Sequence, residues 1–346
     1  GRTGTPSKEP TGGPTPTGEV DLPLDKSALV RGAAKDAIPA ITEPAYGPDW
    51  STATLDERLG AGDRVIGVER DGRARAYPLR VLTYHEIVND AFGGPLLVTF
   101  CPLCGSSVTA ERRVDGEVAT FGVSGYLWRS DLVMYDDATD SLWSQILATA
   151  VRGPQTGTTL DLAPSQLLRW DDWRASHPNT EVLLPPPDSA TISGGHPGSY
   201  ANNPYPGYDE STQIGIGANT FEDARLHPKT QVMGLTEGND SVAYALPRVE
   251  AAGVVNDAVG DRPVVVASLP GGTLVAYNRR IDGRALTFTR VDERTIAGGG
   301  STWDLASGRA RSGPHEGRTL EQANDRSPMF WFAWVDFYPE TRLFGE

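Results

Sequence analysis

The chain has 346 residues, a formal net charge of −14 and only two cysteines. An acidic balance of this size argues against nucleic-acid binding, which wants a basic patch. Two cysteines in one CxxC rule out a long-range disulfide framework, and no apolar run approaches the roughly 18 residues of a membrane span.

The first twenty residues, GRTGTPSKEPTGGPTPTGEV, are rich in Pro, Thr and Gly and have almost nothing to bury. Residues 1–24 are therefore expected to be a disordered tether. Such a tether suits a chain held away from a surface after loss of a targeting peptide. The expected location is extracytoplasmic, on a cell surface or in a periplasm-like space, with membrane contact only through an N-terminal anchor.

Val65 to Val68 and Ala74 to Tyr77 flank the turn signal Glu69-Arg70-Asp71-Gly72 and read as a hairpin. Thr83 with Glu86 three residues later has the form of a capping box. The spacing predicts a short helix opening there, with Ile87, Val88 and Ala91 toward the core and Gly93-Gly94 as its stop. Leu96 to Phe100 has the length of a strand and ends at Cys101. Val108 to Val114 and Val118 to Phe121 flank Asp115-Gly116, a favoured hairpin turn.

About 167 positions later the same order returns. IVNDAFGGPLLVTFCPLCGSSVTAERRVDGEVATF, from Ile87 to Phe121, aligns with VVNDAVGDRPVVVASLPGGTLVAYNRRIDGRALTF, from Val254 to Phe288. Asn89 matches Asn256, Asp115 matches Asp282 and Phe121 matches Phe288. Trp143 and Trp303 mark a later pair. The expected fold is mainly β (α+β) and internally duplicated: two pseudo-symmetric β-rich units, each with one short helix, packed to bury the faces that one alone would expose. Residues 25–160 form the first repeat, 161–230 a connecting and lid segment, and 231–346 a degenerate second repeat with an aromatic C-terminal segment.

Both thiols lie in CPLCG, and the second copy has the shorter LPGG there. His85 and Glu86 align with Ala252 and Gly253, so imidazole, carboxylate and thiols are lost together. That co-absence makes His85, Glu86, Cys101 and Cys104 the candidate reactive group. With the helix crossing between neighbouring parallel strands, its N-terminus would bring His85 to the strand end that carries the cysteines.

Several chemistries stay open. A thioredoxin-like CxxC needs a following helix, but GSSVTAERRV reads as strand. Disulfide exchange on another scaffold is compatible, as is unusual covalent thiol chemistry. A closed zinc knuckle lacks a second ligand pair. An open site of two thiolates, His85 and a weak Met134 ligand suits copper, ahead of zinc or iron. The leading expectation is thus an extracytoplasmic metal-binding or redox protein, with a metal-dependent oxidoreductase as its enzymatic form. The alternatives are a thiol–disulfide oxidoreductase using a reversible Cys101–Cys104 pair, and a non-catalytic surface or assembly protein. The expected partner is a small molecule or a redox protein.

Arg129, Ser130, Trp143 and Gln145 lie in segments dense in polar and aromatic groups, and Tyr205 belongs to a Tyr-rich lid wall with Tyr200 and Tyr208. These five residues are the substrate-facing candidates. Asp136-Asp137 reads as a turn. His177 and His227 suit turns or caps, and His196 lies in a loop able to close over the site.

The stretches AYPLRVLTYHEIVND, VTFCPLCGSSV, FGVSGYLWRSDLVMYDDATDSLWSQ, NPYPGY, RLHPKTQVMGL and FWFAWVDFYPET resemble the domain-of-unknown-function 3179 family (DUF3179) of exported or lipid-anchored prokaryotic proteins. The resemblance implies no activity. It implies that His85, Glu86, Cys101, Cys104, Ser124, Gly125, Ser130, Met134, Asp136, Trp143 and Gln145 occupy motif positions, while Trp128 and Arg129 stand where smaller or more polar residues are expected.

Overall fold

The computed structural model describes residues 20–216 and 221–346. Residues 1–19, most of the expected tether, lie outside the described residues. Leu24, at its far end, is buried and donates its amide to the Val151 carbonyl at 2.8 Å.

The protein is mainly β. Its described residues form several small antiparallel and mixed sheets and four α-helices of seven residues each. The first hairpin pairs Arg64–Arg70 with Arg73–Pro78. Its turn residues Asp71 and Gly72 both have positive φ, the geometry that matches strand twist. On one edge it pairs antiparallel with Gln166–Arg169, and on the other in parallel with Glu181–Leu183. Helix α2 (Trp170–Ser176) links the two strands that flank the hairpin. Residues 161–230 therefore contribute sheet and helix before their loops begin.

The same arrangement occurs further along the chain. Gln231–Glu237 pairs with Asp240–Ala245, flanked by antiparallel Met329–Phe330 and parallel Arg342–Leu343, with α4 (Trp331–Phe337) between the flanking strands. Gly67 leaves room for the Trp173 ring, where a Cβ would stand 2.3 Å from it, and Gly234 does the same for Trp334. The indole of Trp173 donates to Thr180 at 2.9 Å and that of Trp334 to Thr341 at 2.9 Å.

The helix that follows the first hairpin departs from the sequence expectation. Helix α1 spans Leu79–His85, so His85 is its last residue and Thr83 lies inside it. Val81, Leu82 and His85 form its buried stripe, at helical spacing. The Thr83 hydroxyl donates to the Leu79 carbonyl at 2.7 Å, so no capping box forms. Ile87–Ala91 is a strand, antiparallel to Pro95–Cys101, and Gly93-Gly94 turns that hairpin instead of stopping a helix. The β-branched Ile87-Val88 pair suits a strand buried on both faces. The counterpart helix α3 (Leu246–Ala252) likewise precedes strand Val254–Val259.

Asn89 locks the first meander. Its amide donates to the Phe121 and Ile41 carbonyls, and its Oδ1 accepts from Phe121 N–H at 2.8 Å. Asn256 holds Phe288 through the same two bonds, at 2.9 and 2.8 Å. The cores cross between the halves. One joins Cys101, Cys104, Phe121 and Trp143 to Phe330, Trp331 and Trp334; the other joins Val65, Tyr77, Val98 and Trp173 to Val265, Tyr277 and Trp303.

Candidate metal centre

Cys101 ends strand Pro95–Cys101, and the four-residue turn Pro102–Gly105 returns the chain to Ser106, its partner. In the second half Leu269 pairs with Thr273 across only three residues, so the turn there is one residue shorter and has no thiol. Gly105 needs its φ of +61° and lies against the Phe330 ring, 3.1 Å from where a Cβ would stand.

Both cysteines are free and buried. The residue that joins them is Asp131. The two Sγ atoms and a carboxylate oxygen of Asp131 all lie within 4.8 Å of one another. Asp131 opens strand Asp131–Asp136 after a two-residue turn, Arg129-Ser130, in which both residues have positive φ, +53° and +66°. Such a turn ordinarily takes Asn-Gly, and strain of this kind is found at functional sites. The turn aims the Ser130 carbonyl at the Cys101 thiol, which donates to it at 3.7 Å. Asp131 Oδ2 accepts the Ile146 amide at 2.9 Å, while Oδ1 is buried and has no hydrogen-bond partner. An unpartnered carboxylate oxygen beside two thiols is a donor set that could hold a metal ion.

Burial favours the neutral forms of the acidic groups here. Burial pushes the Asp131 carboxyl up to about 8, opposed by the Ile146 and Leu132 amides and by the Ser144 and Cys101 side chains. Burial pushes the Cys104 thiol well up, and Cys101, Asp131 and Asp336 add to the effect. Glu86 is also driven up to about 8, by burial first and then by Asp131.

His85 is not in this cluster. Its Nδ1 lies 2.7 Å from the Pro39 carbonyl oxygen, so Nδ1 carries the proton, and Nε2 accepts from the Tyr200 hydroxyl at 2.6 Å. Burial lowers its pKa to about 4, and the neutral ring has no lone pair left for an ion. The expectation of an imidazole ligand fails for a topological reason: His85 closes α1, and the strand after that helix runs antiparallel to the cysteine strand. Met134 is three positions beyond Asp131 on the same strand, which puts it on the opposite face, packed in the core.

Of the five substrate-facing candidates, Tyr205 lines a cavity of about 240 Å³ beside the cysteine turn, with Phe100, Pro102, Gly105, Tyr208 and Phe330. The others belong to the scaffold. Gln145 is fully buried, accepting from Ser106 Oγ at 2.8 Å and donating to Thr99 Oγ1 and the Ser106 carbonyl at 3.0 Å. The Trp143 indole donates to Asp136 at 2.9 Å, and Asp136 also caps Thr139 in the expected turn. Arg129 donates to the Asp336 carbonyl at 2.6 Å and so ties the strained turn to α4. From the Tyr-rich loop, Tyr208 donates to the Leu103 carbonyl of the cysteine turn at 2.7 Å.

The remaining histidines stand elsewhere. His177 stacks on Trp173 and meets Glu69 at 2.8 Å, His196 is exposed and bonds the Gly198 amide, and His227 accepts the Lys229 amide.

The sequence profile of DUF3179, a family described as protein of unknown function, matches residues 35–341. The chain belongs to that family. No curated protein and no solved structure matches it. The residue of this site that sequence reasoning passed over is Asp131. Its signal was an acid entering the apolar run Leu132-Val133 directly after a polar turn, a pattern that only a nearby partner makes worth burying.

Proposed function

We propose that the protein binds a divalent metal ion through Cys101, Cys104 and Asp131. The observation that carries this reading is the buried, unpartnered Asp131 Oδ1 within 4.8 Å of both thiol sulfurs. A tetrahedral ion with bonds of about 2.3 Å to sulfur holds two sulfurs roughly 3.8 Å apart, which this spacing accommodates. The copper expectation leaned on an imidazole. With a carboxylate in its place the donor set favours zinc, which accepts thiolate and carboxylate together. Three protein ligands leave a coordination position open toward chemistry on a small molecule, and the cavity beside the turn is the approach. Disulfide exchange with a protein partner is less well supported, since neither sulfur reaches the surface. The Pro- and Thr-rich N-terminal sequence keeps the extracytoplasmic, tethered location as part of the proposal.

Elemental analysis of purified protein, repeated after zinc loading and desalting, tests the reading. One zinc per chain in the wild type, lost in Cys101→Ser and Asp131→Asn, is expected. Equal, substoichiometric metal in all three would overturn it.

A further inference from the structure

The cavity beside the cysteine turn lies between the two halves, and each half gives it the same ladder position. Arg64 opens the first hairpin and Gln231 opens its counterpart, at the offset that relates Asn89 to Asn256, and both line the cavity. Across the ladder Arg64 stands opposite Arg169, whereas Gln231 stands opposite Phe330. Like charges directly opposite each other destabilise an antiparallel pair. Arg169 is matched by Asp171 at 3.4 Å. Arg64 forms no ion pair among the described residues, and its hydrogen bonding there is one contact, Nη2 donating to the Gly271 carbonyl at 3.3 Å. The second half builds the same ladder with a neutral residue, so the sheet does not account for the guanidinium.

Arg64 is partly buried and is the one cation among the residues that line the cavity. A second cation lies behind the wall. Lys229 is buried with its Nζ 3.5 Å from the centroid of the Tyr208 ring, donating to the Tyr208 and Ser211 carbonyls at 2.8 and 3.3 Å. Asp209, exposed on the rim, acts on both cations from beyond ion-pair distance. Two cations without a paired carboxylate, in a chain of net charge −14, make a local positive field at a concave site. The rest of the wall is largely apolar, with Phe100, Tyr205 and Phe330 beside Leu79 and Leu167. An apolar pocket with a few polar groups is the usual form of a small-molecule site. The volume of about 240 Å³ lies below the roughly 300–1,000 Å³ of drug-sized pockets, so the ligand is small.

We infer that this cavity is an anion subsite in which Arg64 holds the carboxylate of a small aromatic acid against Phe100, Tyr205 and Phe330. A guanidinium takes a carboxylate through two parallel hydrogen bonds, and aromatic walls suit a flat apolar body. Phe100 and Pro102 flank Cys101 in the chain and both line the cavity, so a ligand held there rests on the turn that carries the thiols. That such an acid is the substrate of the centre rests on the metal-binding reading; its binding by Arg64 does not.

The test uses the full chain and benzoate as the probe, with benzyl alcohol as its neutral counterpart and inorganic phosphate as an anion without an apolar body. Calorimetric titrations are run on the zinc-loaded protein and again after chelation. Benzoate is expected to bind about tenfold or more tighter than either comparison in both forms. Arg64→Gln, which places at this position the residue of the second half, should abolish the preference for benzoate over benzyl alcohol. The wild-type comparison needs no variant, so the inference stays testable if Arg64→Gln fails to fold. Equal affinity for benzoate and benzyl alcohol, equal affinity for benzoate and phosphate, or undiminished benzoate binding by folded Arg64→Gln would overturn it. A preference that vanishes on chelation would assign the carboxylate to the ion and overturn it as well. One zinc per chain without benzoate binding would remove this inference alone. Benzoate binding by a chain that takes up no zinc would remove the metal centre and leave the subsite.

Discussion

The Phe330 amide donates to the Cys104 carbonyl at 3.0 Å, so the cysteine turn of the first half is held by a strand of the second. The same phenylalanine packs its ring on Gly105 and lines the adjoining cavity. The relation is reciprocal: Gly271, in the shorter turn of the second half, lies against Arg169 of the first, 2.6 Å from where a Cβ would stand. The thiols therefore depend on residues more than two hundred positions away for their geometry.

Removing the Phe330 ring leaves its amide bond in place but empties one wall of the turn. Phe330→Ala should destabilise the protein by about 3 kcal/mol, a typical value for truncating a buried aromatic. It should also weaken zinc binding, because the turn loses its support. Denaturant melts and chelator competition measure the two effects, and undiminished affinity in a folded variant would show that the turn is rigid by itself.

Zinc uptake should displace protons, because thiols and a carboxyl held up to about 8 must ionise to bind. Apparent affinity is expected to climb steeply from pH 6 to pH 8, with about two to three protons released per ion. Calorimetry in buffers of different ionisation enthalpy counts those protons. A count near zero would mean that the ligands are already ionised.

Glu86 has a folded pKa raised to about 8 from 4.5, so its contribution to stability is fully present in acid. As pH rises from about 4 to about 8, the unfolded chain releases the proton and the fold retains it. Stability then falls by up to ~1.4 kcal/mol per pH unit for this one group. His85, lowered to about 4, acts oppositely, and its contribution is lost as pH falls below about 6.5. Melts of metal-free protein between pH 5 and 8 should show Glu86→Gln gaining on the wild type at each step toward higher pH. Parallel curves would place Glu86 in a more solvated setting.

Asn89 and Asn256 offer a matched comparison. Asn89 is buried and serves three backbone groups, whereas Asn256 is partly exposed and serves two. Asn89→Ala should cost about 3 kcal/mol and Asn256→Ala about half of that, since unsatisfied buried groups carry most of the penalty. Equal losses in urea melts would argue that the loops are held by packing alone.

The hairpins at Asp71-Gly72 and Asp115-Gly116 were legible from sequence because their turn residues carry their own conformational signal. The match of Asn89 to Asn256 and of Phe121 to Phe288 was visible as a recurring mark, whereas the hydrogen bonds that join Asn89 to Phe121 and Asn256 to Phe288 were not. The helix was misplaced because Thr83 and Glu86 match a capping pattern that the chain does not use. Val81, Leu82 and His85, which do carry the helical stripe, follow directly on the strand Arg73–Pro78.

Sequence by itself determined a mainly β chain of the DUF3179 family, with all its thiol chemistry in one turn. That much follows from local spacing and composition, which act over a few residues. Only the tertiary structure decided what meets the thiols. It turned His85 toward Pro39 and Tyr200, sent Met134 to the far face of its strand, and brought Asp131 to the sulfurs from a hairpin some thirty residues on. Those choices depend on strand direction and register, which are set by how sheets close against one another and which no short segment encodes.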